Sequence, residues 1–130
     1  MPDDDSLIRS LIGRAAHLAD EGTPEEYRPL YTEDASWSFA GDTQSGVDAI
    51  VQGARQRRAA GVSGPGTDTR HLVVPLHVSV DGDRAKAVSY FLFFGNTATV
   101  PEVRVFGVYE DDLVRTADGW RLQCRVSRKA

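Results

Sequence analysis

The chain has 130 residues, 41% hydrophobic and 26% charged, which bounds it to one globular domain with its own core and no disordered low-complexity tract. A formal net charge of −4 argues against nucleic acid as a partner, and no apolar run approaches the ~20 residues that cross a bilayer. The acidic opening Met1–Asp5 leads into no signal-peptide core, and the lone Cys124 excludes an intrachain disulfide, so the expected location is the cytoplasm.

Ser6 is placed to cap a first helix running to about Asp20, with Leu7, Leu11, Ala15 and Leu18 on one face and Ile8 and Ile12 beside it. Gly22 ends it. Thr23-Pro24-Glu25-Glu26 reads as a capping box with proline at the first helical position, opening a short helix through about Leu30. Trp37 and Phe39 alternate with Ser36, Ser38 and Ala40 in a first strand. Residues 41–46 turn the chain into a third helix, whose apolar stripe is Val47, Ile50, Val51 and Ala54. Arg55, Arg57 and Arg58 fall late in that helix, where cations suit the dipole, and read as a solvated face.

The glycine-rich loop Ala59–Thr67 is expected to gate a pocket. A two-faced strand follows, with Leu72, Val74, Leu76, Val78 and Val80 alternating with His71, Val73, Pro75, His77 and Ser79. Asp81-Gly82-Asp83 and Ala117-Asp118-Gly119 are hairpin turns. Between and after them run three more strands, Ala85–Phe94, Glu102–Arg115 and Trp120–Val126. Helices first and long strands after give an α+β class: three helices packed on one face of a curved mixed or antiparallel sheet, enclosing a pocket. The run Ala87–Phe94 is apolar on both faces, so a second copy of the chain is expected to cover the outer one as a homodimer.

His71 is the leading candidate for acid/base work, because imidazole alone among side chains exchanges protons unperturbed near neutral pH. Asp20 and Glu21 sit at a helix C-terminus, where the dipole repels carboxylates, and such a broken local rule marks functional sites. Tyr109 and Asp111 share a strand face with Val105 and Gly107 and can offer a hydroxyl and an acid to the pocket. Trp37, Phe39, Val73 and Ala15 complete the expected wall. No metal site is expected: His71 and His77 lie six residues apart on one strand, roughly 20 Å, and no ligand spacing occurs. Nucleophile elbow, phosphate loop and dinucleotide fingerprint are all missing, so no cofactor is expected. Cys124, inside an alternating strand, reads as a structural thiol.

Taken in order, Leu18–Gly22, Leu30–Ala35, Ser45–Ile50, Arg70-His71, Asp81–Ala85, Gly107–Asp111 and Asp118–Arg121 make a familiar succession. The chain resembles the SnoaL-like branch of the nuclear-transport-factor-2-like superfamily, a cone of bent sheet closed by three helices around a pocket. The site is most similar to those of scytalone dehydratase and bile-acid 7α-dehydratase, which pair a late helix-one aspartate with a histidine opening the strand after helix three. Asp20 and His71 match those two positions. The resemblance also expects tyrosines, and Ala15 and Phe39 stand in their places. Phe39 occupies the position of the carboxylate base in steroid isomerases of this fold, which removes isomerase chemistry, while Asp111 falls where they carry an acidic oxyanion donor. The resemblance thus implies a cofactor-free lyase for an apolar or polycyclic hydroxy-carbonyl compound. Its alternatives are a non-catalytic ligand binder and an accessory subunit of a ring-hydroxylating oxygenase.

Overall fold

The computed structural model describes residues 2–130. Helix α1 spans Asp4–Glu21, and Asp3 caps it by accepting from the Ser6 N–H at 2.8 Å. The cap therefore lies three residues before the Ser6 expected from sequence, which brings Asp4 and Asp5 into the favourable first turn. Ile8, Ile12, Ala15 and Leu18 form its buried stripe and Leu7 turns outward, so the inward face centres on the isoleucines. Each fully buried aliphatic chain of this kind contributes about 1.5–3 kcal/mol.

The capping box forms as expected, with the Glu26 carboxylate accepting from the Thr23 N–H, and opens a single 3-10 helix, Pro24–Leu30. Strand β1 (Tyr31–Phe39) begins earlier than the Trp37/Phe39 alternation implies. The expected turn after it holds a short strand, β2 (Asp42–Ser45), reached through Ala40 and Gly41, both at positive φ. Helix α2 (Val47–Ala59) buries Ile50, Val51 and Ala54. Four long strands follow: β3 (Arg70–Asp81), β4 (Arg84–Gly95), β5 (Glu102–Thr116) and β6 (Gly119–Lys129).

These strands make one six-stranded sheet in the order β2-β1-β6-β5-β4-β3, antiparallel throughout except where β1 lies parallel to β6. Register shifts interrupt the β1–β6, β3–β4, β4–β5 and β5–β6 pairings. Such irregularities bend strands and increase twist, and here they curl the sheet without closing it. At Pro75, on the edge strand β3, the shift falls where the chain has no N–H to donate, and Arg9 of α1 takes the Pro75 carbonyl at 3.0 Å.

The pairings line up side chains in rows on the concave face. One row is His71, Phe93 and Val105; the next holds Val73, Phe91 and Gly107. Then come Ser89, Tyr109, Ser127 and Phe39, followed by Ala87, Asp111, Arg125, Trp37 and Gln44. The helices cover this face. On the convex face Leu72, Val74, Leu76, Tyr90, Val103 and Phe106 remain exposed.

Candidate active site

The concave rows and the helices enclose a cavity of about 370 Å³. Its apolar wall is Ala15, Ala16 and Ala19 of α1 with Phe39, Phe91, Phe93 and Val105 of the sheet. Gly107 makes room for it, because a Cβ there would collide with the Phe91 ring. Phe91 stacks on Tyr109 with centroids 4.3 Å apart and an interplanar angle of 15°. The loop after α2 is pinned by the Val62 N–H to the Arg57 carbonyl and the Thr67 N–H to the Gly64 carbonyl, and Val62 and Ser63 join the wall.

Asp20 and His71 meet as expected. The Asp20 carboxylate accepts from His71 Nδ1 at 2.8 Å and from the His71 backbone N–H at 2.9 Å. Because an ionised carboxylate only accepts, Nδ1 carries the hydrogen, and in the neutral imidazole it is Nε2 that keeps the lone pair. Asp20 is 4% exposed and His71 lines the cavity, with its ring 4.7 Å from that of Phe93.

The dipole conflict of an aspartate at the end of α1 is relieved from another helix. No basic residue stands in the last turn of α1, and Arg58 of α2 donates to the carbonyls of Leu18 at 2.9 Å and Gly22 at 2.8 Å. Arg58 is therefore a bolt between helix ends and no part of a solvated face. Arg57 also departs from that expectation: it lines the cavity with its guanidinium 4.7 Å above the Trp37 ring. Only Arg55 points to solvent, where it pairs with Glu25.

Two expected wall residues stand elsewhere. Asp111 is fully buried behind the wall, both carboxylate oxygens taken by Arg125 at 2.7 and 3.0 Å, so it has no acid to offer a ligand. Val73 is partly buried and packs against the core. Tyr109, Trp37, Phe39 and Ala15 do line the cavity, as expected. Trp37 donates its Nε1–H to Ser127 Oγ at 2.7 Å.

Sequence reading missed Tyr27, Tyr31, Arg57 and Arg125, all in the wall. Arg125 lies 3.9 Å over the Tyr109 ring. Burial works against its charge, but the Asp111 carboxylate more than offsets this and holds its pKa above the ordinary arginine value. Burial also pushes Tyr31 and Tyr109 up to about 12, although the Arg125 cation pulls both the other way. At neutral pH both are intact phenols that can donate. Two phenols thus enter the site from β1 and β5, although Ala15 and Phe39 supply none. Among the described residues, no three His, Cys, Asp or Glu side chains cluster closely enough to hold a metal ion. No helix there is long and apolar enough to cross a membrane.

The family model for the SnoaL-like domain matches residues 3–126. The chain belongs to this family. Among solved structures it is similar to an NTF2-like protein with a cystatin-like fold from Novosphingobium aromaticivorans, at 26% identity and a TM-score of 0.81, over 95% of this chain and 79% of that one. A candidate scytalone dehydratase from the same organism matches at 21% identity and a TM-score of 0.75, over 95% and 82% of the two chains. A Catenulispora acidiphila protein solved in complex with S-DNPA matches at 23% identity and a TM-score of 0.76, over 95% and 90%. None of the curated proteins compared with the SnoaL-like chain matches it significantly.

Proposed function

We propose that this SnoaL-like protein is a cofactor-free lyase that dehydrates an apolar or polycyclic β-hydroxy carbonyl compound. The observation that carries the reading is the Asp20–His71 pair, buried on the Asp20 side and turned to a largely apolar cavity on the other. Similarity to a candidate scytalone dehydratase supports the same class. His71 Nε2 takes the proton beside the carbonyl, and the electron pair moves onto the carbonyl oxygen as an enolate. The phenolic O–H of Tyr109 stabilises that oxygen. The enolate collapses, the β carbon–oxygen bond breaks, and His71 returns its proton to the departing hydroxyl, releasing water and an unsaturated carbonyl. Asp20 fixes the tautomer and balances the imidazolium between the two transfers.

A panel of bicyclic β-hydroxy ketones, followed by the absorbance of the unsaturated product, tests this. His71→Ala should abolish turnover. Asp20→Asn should cost about 10²-fold or more, since the amide offers one acceptor where two N–H groups now point and sets a donor against the other. Wild-type rates in His71→Ala would sink the mechanism. A second reading, a non-catalytic ligand binder, draws support from Ala15 and Phe39, which place apolar groups at both positions where the resemblance expects hydroxyls. Tight ligand binding with no proton exchange beside the carbonyl in deuterated water would favour it.

The exposed convex face supports assembly as a homodimer through the sheet. Leu72, Val74, Tyr90, Val103 and Phe106 lie there on three neighbouring strands, with Tyr90 and Phe106 edge to face at 5.5 Å. Contiguous apolar surface of this kind marks an interface.

A further inference from the structure

Among the described residues, the other arginine in the cavity wall, Arg125, has its counter-charge, Asp111, beside it. Arg57 has none. Its neighbours are the ring of Trp37, the phenols of Tyr27 and Tyr31, and the like charge of Arg58, and burial lowers its pKa below the ordinary arginine value. Asp42 is the one carboxylate in the cavity wall among the described residues, and it is solvent-exposed and forms no ion pair with Arg57. A guanidinium half-withdrawn from water, with its fork of donors unmatched by a carboxylate, is a site for an anionic oxygen. Stacking on Trp37 fixes the plane of that fork.

The position of Arg57 sets where the anion goes. Trp37 lies on β1 and His71 on β3, four strands apart in the sheet, or roughly 19 Å along its curve. Between them, nearest His71, the wall is Phe91, Phe93, Val105 and the alanines of α1, and nearer Trp37 it is Tyr109, Ser127 and the Asp111-paired Arg125. The geometry points to a monoanionic ligand: an apolar ring body across the cavity floor, its reacting carbonyl at His71 and a carboxylate or ionised phenol oxygen paired with Arg57 at the far wall. This rests on the reading of the cavity as the site of His71 chemistry and adds the charge of the substrate to it.

The test uses two probes with the same rings and no group to eliminate, naphthoate and naphthamide. Binding is followed by tryptophan fluorescence, with amide shifts at Ser63 and Val105 locating each probe in the cavity. The wild type should bind naphthoate about tenfold or more tightly than naphthamide. That preference should vanish in Arg57→Gln, reverse in Arg57→Glu, and persist in Arg57→Lys and His71→Ala. Naphthamide binding in each variant certifies the fold. Equal affinities in the wild type, binding of neither probe, a preference that survives Arg57→Gln, or one lost in His71→Ala would each overturn the inference. Turnover plays no part here, so a lyase that fails and an anion site that fails are told apart.

Discussion

Asp111 and Arg125 form a bidentate ion pair sealed between β5, β6 and the helices, the carboxylate side chain 0% and the guanidinium side chain 6% exposed. The pair holds Arg125 against the Tyr109 ring and so sets one wall of the cavity. Removing one partner strands a buried charge, which costs about 3–5 kcal/mol, whereas replacing both with apolar groups of similar size is often nearly neutral. Asp111→Ala should therefore destabilise the protein by that amount in chemical denaturation. The double variant Asp111→Leu with Arg125→Met should recover most of the loss. If the two single losses simply add in a double-alanine variant, the pair is not coupled and does not organise the wall.

The same pair marks where sequence reading stops. The α+β order, the hairpin turns and the partnership of Asp20 with His71 are legible, because periodicity, capping and turn chemistry are local and the resemblance supplies the one long-range pairing. Asp111 shares a strand face with Tyr109 and was open to the same reading as a pocket residue. Only the β5–β6 register, which sets Arg125 directly across from it, shows that its oxygens are occupied. Arg57 and Arg58 fail for a related reason. Late cations in a helix suit its own dipole, and nothing local reveals that Arg58 serves the end of a different helix 36 residues away in sequence. Tyr31 escapes because the exposed Glu33 and Asp34 hide the start of β1 from any alternation pattern.

The convex face makes the dimer proposal directly testable. Leu72 and Phe106 are 52% and 48% exposed in a single chain, within an apolar patch of the kind that marks interaction sites. Stable interfaces bury about 800 Å² per partner. Sedimentation at micromolar concentration should give a species of twice 14.2 kDa. Leu72→Lys with Phe106→Glu should shift it to a monomer while leaving the Asp20–His71 pair on the opposite face untouched. A wild type that sediments as a monomer would remove the proposal.

Burial of Tyr31 and Tyr109 gives the fold a signature at high pH. Both phenols are pushed from an ordinary 10.0 up to about 12, by burial first, with Arg125 opposing. Below pH 10 they are protonated in the folded and the unfolded chain alike, and their contribution to stability is fully present. Between about 10 and 12 the unfolded chain ionises first and binds fewer protons, so stability falls as pH rises through that window. Denaturation midpoints should therefore drop across it. Tyrosinate absorbance of the folded protein should show a late step there, and Tyr31→Phe with Tyr109→Phe should remove that step. Should the folded wild type show no such late step, both rings would be open to water. The neutral Tyr109 phenol assigned to the enolate would then lose the burial that keeps its proton in place.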